Sequence, residues 1–134
     1  MIAAQPVLAR LKKRADFLAA ARSVRKVAGS ITLEFAPTPQ SAEQDGALRL
    51  GFTASRKIGN AVARNRAKRR MRAAAAETLP LLGRTGHDYV LVARASVLTC
   101  DFAHLKRDLA AALGLAHRAW DERQAGRAKG SENK

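Results

Sequence analysis

The chain has 134 residues and a net charge of +14, from 25 Lys and Arg against 11 Asp and Glu. That length suits one compact domain, and that charge calls for a polyanionic partner. Apolar residues make up 47% of the chain, but 29 residues are Ala, so six aromatics (Phe17, Phe35, Phe52, Tyr89, Phe102 and Trp120) complete a modest core. No apolar run approaches the roughly 20 residues that span a bilayer. The N-terminal MIAAQPVLARLKKR places apolar residues before basic ones, the reverse of a secretory signal. A single cysteine, Cys100, excludes an internal disulfide and a CxxC metal site. These features predict a reducing, cytoplasmic setting away from membranes.

In chain order, a short helix is predicted around Arg14 to Arg22, with Phe17 and Leu18 as its main apolar side chains. Ile31, Leu33 and Phe35 then alternate with Thr32 and Glu34, the period-2 pattern of a half-buried strand. Ala36 to Gly46 holds prolines and acids and reads as a hairpin-type loop. A second strand follows from Ala47 to Ser55, with Leu48, Leu50, Phe52 and Ala54 on one face. After Gly59 the period becomes helical to about Leu79, where Pro80 and Gly83 are expected to stop it. Tyr89 to Ala93 is a continuous apolar run, as in a strand covered on both faces. A last helix is predicted from about Asp101, with Phe102, Leu105, Leu109, Ala112, Leu113 and Ala116 at helical spacing. The polar stretch 121–134 reads as a disordered tail, leaving residues 1–120 as the single domain. The order α-β-β-α-β-α, with room for one more strand between Arg22 and Phe35, predicts an α+β fold: a small α/β sandwich with helices packed on a central sheet.

Charge is concentrated in the middle. The 31 positions from Gly46 to Ala76 hold no acid and nine cations. At about 100° per residue, Ala63, Ala67, Met71, Ala74 and Thr78 form a narrow apolar stripe. Arg64, Asn65, Lys68, Arg69 and Arg72 share an adjoining face roughly 140° wide, and Arg66 and Arg70 lie on the other flank. Like charges at i,i+4, such as Arg64–Lys68 and Lys68–Arg72, destabilise a helix by a few tenths of a kcal/mol each. An anion on this face offsets that repulsion, and the planar fork of arginine suits phosphate. Asn65 adds a neutral donor and acceptor for a base edge or a 2′-hydroxyl. A merely solvated basic face would carry interspersed acids, so nucleic-acid binding is the stronger reading.

The segment from Leu50 to Ala74, LGFTASRKIGNAVARNRAKRRMRAA, resembles the signature of the bacterial ribonuclease P protein family. The carrying residues are Ser55-Arg56-Lys57, then Gly59-Asn60-Ala61-Val62, then Arg64-Asn65-Arg66 followed by Lys68, Arg69 and Arg72. Leu11 to Arg14 with Asp16-Phe17, and Asp88 to Arg94, are similar to further family segments, so the likeness covers about Leu8 to Leu115. The resemblance implies a left-handed βαβ crossover, a handedness rare among proteins. It also implies a subunit that joins a catalytic RNA and assists removal of the 5′ leader from precursor tRNA.

By the same resemblance Arg64, Asn65, Arg66, Lys68, Arg69 and Arg72 contact the catalytic RNA. Phe17, Phe35, Arg56 and Lys57, with Ser55, belong to a cleft for the single-stranded leader. Ala21 stands where the family often has a second aromatic one helical turn after Phe17, which implies a smaller stacking platform. The scattered acids and the isolated His87, His104 and His117 form no pattern for protein-borne nuclease chemistry. With that, the resemblance implies Mg²⁺ held by the RNA subunit and substrate as the cofactor, with none bound by the protein. The expected partners are the catalytic RNA and precursor tRNA, with no obligate protein partner. A ribosomal-type structural RNA-binding protein shares the size and charge, and a DNA-compacting protein is a weaker third reading.

Overall fold

Alternating side chains and a change of period are what build this molecule. The computed structural model describes residues 5–132. The elements are β1 (Val7–Arg10), α1 (Arg14–Arg22), β2 (Val24–Ala28), β3 (Ile31–Pro37), β4 (Ala47–Thr53), α2 (Ala61–Leu82), β5 (His87–Ala93) and α3 (Phe102–Glu132). They form one five-stranded sheet in the order β1-β4-β5-β3-β2. β1 and β5 flank β4 in parallel, whereas β3 runs antiparallel to both β5 and β2. Because β4 and β5 are parallel neighbours, the chain between them must cross over, and α2 is that crossover.

The alternation in β3 and β4 sorts the two faces of the sheet. Ile31, Leu33, Phe35, Leu48, Leu50, Tyr89 and Leu91 pack under α2 and α3, against Ala67, Met71, Ala74 and Leu79 of α2 and Leu105, Leu109 and Leu113 of α3. The small residues on α2 let it lie close to the sheet. Burying that stripe, at about 0.8 kcal/mol per methylene, outweighs the repulsion between its arginines. Among the described residues the opposite face is covered by α1, where Leu11, Ala20, Ala36 and Val90 form a second, smaller cluster with Phe17 and Val92 packed against it. The result is an α+β sandwich with the sheet as its middle layer.

The structure adds β1, contains the strand the sequence left room for, and extends two helices, α2 and α3. β1 is a four-residue edge strand with too few side chains to show a period, and its pairing with β4 defines it. The strand allowed between Arg22 and Phe35 exists as β2, with Val24 opposite Phe35 and Ala28 opposite Ile31. α2 continues through Pro80 to Leu82, because a proline in the last turn forfeits only one helical hydrogen bond. α3 runs to Glu132, so the stretch predicted as a disordered tail from Asp121 onward is described as helix as far as that residue. Arg84 holds Asp121 with two hydrogen bonds of 2.7 and 2.9 Å, and Arg123 lies 6.0 Å from the Trp120 ring centroid. These contacts carry the helix past the end of the sheet.

α1 is fixed to the sheet by charge as well as by packing. Arg49 on β4 makes a two-pronged contact with Asp88 on β5, Nε to Oδ1 at 2.8 Å and Nη2 to Oδ2 at 2.6 Å. Its other nitrogen lies 3.2 Å from Asp16 on α1. All three side chains are largely buried, at 12%, 3% and 13% exposed for Arg49, Asp88 and Asp16, and the Thr38 hydroxyl donates to Asp88 at 2.7 Å. Removing one member leaves the others desolvated and unpaired. Asp88→Ala is expected to lower unfolding stability by about 3–5 kcal/mol in urea titration; a loss below about 1 kcal/mol, the level of an exposed pair, would show the network to be dispensable.

Candidate nucleic-acid interface

The cationic surface begins where β4 ends. Ser55, Arg56 and Lys57 are exposed in a short 3₁₀ turn, Arg56–Ile58, between β4 and α2. Gly59 follows at φ +145, a conformation that favours glycine. The Asn60 side chain then caps α2 by accepting the Ala63 N–H at 2.9 Å, a contact worth about 1 kcal/mol. From this start α2 turns its alanine and methionine stripe inward, with Ala67, Met71 and Ala74 fully buried. Asn65, Arg66, Arg69 and Arg72 are exposed and Arg64 and Lys68 half-buried.

Several of these cations have internal contacts that orient them. Arg64 Nε donates to the Ala54 carbonyl at 3.1 Å. The Arg72 guanidinium lies over the Phe52 ring at 5.3 Å from its centroid. Arg70, on the far flank, donates instead to the Cys100 carbonyl, and so joins α2 to the start of α3. Among the described residues, no cation of α2 forms an ion pair. The face is thus a row of guanidinium and ammonium groups with no neutralising acid, a phosphate-binding surface in its chemistry.

The face under α1 has a different character. Phe17 is half-buried and presses its ring on Gly51, where a Cβ would fall 2.5 Å from the ring. Ser55 lies four residues further along the same chain, about 13 Å at extended spacing. Exposed Arg56 and Lys57 follow it directly. Glu34 on this face is half-buried, and burial raises its carboxyl above the usual range while Arg25 at 3.8 Å partly opposes that. Ala21 is exposed and supplies no ring.

Phe35 does not belong to this face. It is fully buried on the opposite side of the sheet, stacked on His87 with centroids 4.9 Å apart and enclosed by Tyr89, His117 and Trp120. Its strand parity, shared with Ile31 and Leu33, sends it into the core, and its assignment to a leader cleft is corrected accordingly. Beside it the Tyr89 hydroxyl accepts the Arg84 N–H at 2.8 Å and lies 2.7 Å from His117 Nε2. Burial pushes His117 down to about 4, so a neutral imidazole shares this hydrogen bond with the Tyr89 hydroxyl. Burial pushes Tyr89 well above its usual pKa.

Sequence reasoning misses Arg49, Asp16 and Asp88, which hold α1 over the sheet. Asp16 and Asp88 lie 33 and 39 positions from Arg49 in the chain, and no local pattern marks such a pairing. The described residues gather no three His, Cys, Asp or Glu that could hold a metal ion. None of their helices is long and apolar enough to cross a membrane.

A mixed five-stranded sheet with a cationic crossover helix on one face and a short helix carrying Phe17 on the other defines an α+β protein with a basic surface. The model of the Ribonuclease P family matches residues 6–117, and the chain belongs to that family. It is 51% identical to the Ribonuclease P protein component of Ruegeria pomeroyi, over 80% of this chain and 85% of that protein. It is 46% identical to that of Caulobacter vibrioides, over 78% and 68%. The fold is similar to the RNase P protein of Staphylococcus aureus, with a TM-score of 0.64 at 24% identity over 80% of this chain and 94% of that one. It is likewise similar to that of Thermotoga maritima, with a TM-score of 0.63 at 25% identity over 81% and 96%.

Charge reversal at Arg64 and Arg69 tests the helix face. The double variant is expected to bind structured RNA at least tenfold more weakly in filter binding, with an unchanged circular dichroism spectrum. Each lost phosphate contact should also flatten the dependence of log K on log salt by about 0.7–0.9. Unchanged affinity would remove this face from the interface.

Proposed function

We propose that this chain acts as the protein subunit of ribonuclease P, the endoribonuclease that matures the 5′ end of tRNA, with the chemistry carried by its RNA subunit. The observation that carries the reading is the α2 face, nine positions from Arg64 to Arg72 that hold six cations and no acid. In this reading Arg64, Asn65, Arg66, Lys68, Arg69 and Arg72 bind the catalytic RNA by charge and hydrogen bonding. Phe17, Ser55, Arg56 and Lys57 receive the 5′ leader of precursor tRNA under α1. One ring stacks one unpaired base at about 1–3 kcal/mol, and the cations follow the backbone without reading sequence.

In this reading Mg²⁺ would be held by the RNA subunit and the substrate phosphates, and its chemistry there would supply the nucleophile. Three of the protein's own carboxylates are already committed to arginines, Asp16 and Asp88 to Arg49 and Asp121 to Arg84. The protein contributes substrate affinity and screening of the repulsion between two RNAs, and it works in the cytoplasm.

Cleavage of precursor tRNA at low Mg²⁺ tests this directly, with catalytic RNA alone, protein alone and the mixture. Only the mixture is expected to cleave. In the same assay Phe17→Ala should raise KM for leader-bearing precursor several-fold while leaving the affinity of the holoenzyme for mature tRNA unchanged. No rescue by folded protein would move the chain to a structural RNA-binding role, and an equal loss for precursor and mature tRNA would return Phe17 to the core.

A further inference from the structure

The end of α3 is held differently from the rest of the helix. Up to Ala116 the helix buries an apolar stripe of Leu105, Leu109, Ala112, Leu113 and Ala116. Beyond it Asp121 to Arg127 are all exposed, and Gly126 stands inside the helix, where glycine weakens it. A small cluster fastens this end. Trp120 packs edge-on against Phe35 and His87, with ring centroids 6.1 and 6.3 Å away. His117 Nε2 meets the hydroxyl of the fully buried Tyr89 at 2.7 Å, and Arg84 pairs with Asp121 at 2.7 Å. Further along, Arg123 donates to the carbonyl of Ser23, the residue that ends α1, at 3.5 Å.

A proton on His117 undoes this cluster in two ways. A neutral ring can leave Nε2 bare for the Tyr89 proton, whereas both nitrogens of an imidazolium are donors. The Tyr89 oxygen already accepts the Arg84 amide at 2.8 Å, so its own proton then loses its partner in a buried site, which is costly. The new charge also faces Arg84 and His87, and the one carboxylate beside it, Asp121, is already paired with Arg84. Arg22 and Arg123, in the hollow next to Trp120, add further positive charge.

We propose that the His117–Tyr89 contact is a proton-operated latch, which closes the end of α3 onto the sheet and α1 when His117 is neutral and releases that end, with the rest of the fold intact, when His117 is protonated. Release frees Trp120 from Phe35 and removes Arg123 from the Ser23 carbonyl, so the C-terminal end of α1 loosens with it. A weakly packed helix end of this kind is where local opening is expected.

The groups around the latch leave His117 in control between pH 7 and pH 5. Arg84 keeps its charge, and burial keeps the proton on Tyr89. Asp121 stays ionised, because the hydrogen bond from Arg84 holds its carboxyl below the usual range. His87 donates from Nδ1 to the Thr85 carbonyl at 2.9 Å, a bond that an imidazolium makes equally well. Burial first, then Arg84 and His87, lower His117 from 6.5 to about 4 in the closed state. Its contribution to closure is therefore complete above pH 6.5 and is lost as pH falls toward 4. From pH 7 to pH 5 the ratio of open to closed latch rises about twentyfold.

Amide hydrogen exchange on the full ¹⁵N-labelled chain, corrected for the intrinsic effect of pH, reads the opening. Ala119 to Gln124 are expected to lose protection about twentyfold from pH 7 to pH 5. At both pH values they should exchange well ahead of Leu33 and Leu91 in the middle of the sheet. His117→Gln, which stays neutral, should abolish the pH dependence, and His87→Gln should preserve it. Protection equal to that of Leu33 and Leu91 would make the opening global and overturn the latch. So would a loss that persists in His117→Gln, or no loss at all. The His117 ring signal of the unaltered chain gives a check that needs no variant: it should titrate below pH 5, and titration near 6.5 with the end of α3 still protected would also contradict the proposal.

Discussion

The contact on which the arrangement depends is the buried arginine at position 49. Its guanidinium joins Asp88 on the neighbouring parallel strand to Asp16 on α1, so three segments distant in sequence meet at one planar group. Two carboxylates around one arginine leave a net negative charge largely removed from water, and only good geometry repays that cost. The two-pronged contact to Asp88 and the added Thr38 hydroxyl supply it. With α1 held there, Phe17 stays pressed on Gly51.

From this anchor the proposed reading separates two roles on two faces of one sheet. The α2–α3 face uses most of the apolar side chains, which frees α2 to expose its cations. A helix with repeated like charges is a poor helix alone; the Asn60 cap and the buried Ala67–Met71–Ala74 stripe compensate. The α1 face is covered by a single short helix, and Phe17, Glu34 and Val92 are half-buried there. The 3₁₀ turn holding Arg56 and Lys57 links the two faces, because it ends β4 and begins α2. In the proposed reading, an RNA on α2 and a leader under α1 would approach each other at that turn.

Much of this is legible in the sequence because it is local. The alternation at Ile31 to Phe35, the apolar stripe of α2 and the crowding of cations beside it are short-range patterns, and each matches its element. Strand parity also holds the information that places Phe35 in the core, but the family resemblance, carried over by position, gives the opposite assignment. β1 escapes notice because four residues carry no usable period. The helical continuation beyond Trp120 depends on Arg84, 37 residues before Asp121, and the Arg49 network spans similar distances.

The central claim is that the two faces serve two different RNAs, and tethered hydroxyl-radical cleavage measures it most directly. In a Cys100→Ser background, an iron chelate is attached at Arg69→Cys on α2 or at Leu18→Cys, an exposed position on α1. Both derivatives are assembled with catalytic RNA and precursor tRNA. The chelate on α2 should cut the catalytic RNA, and the one on α1 should cut the leader. The same cuts in the same RNA from both positions would contradict the division of labour between the faces.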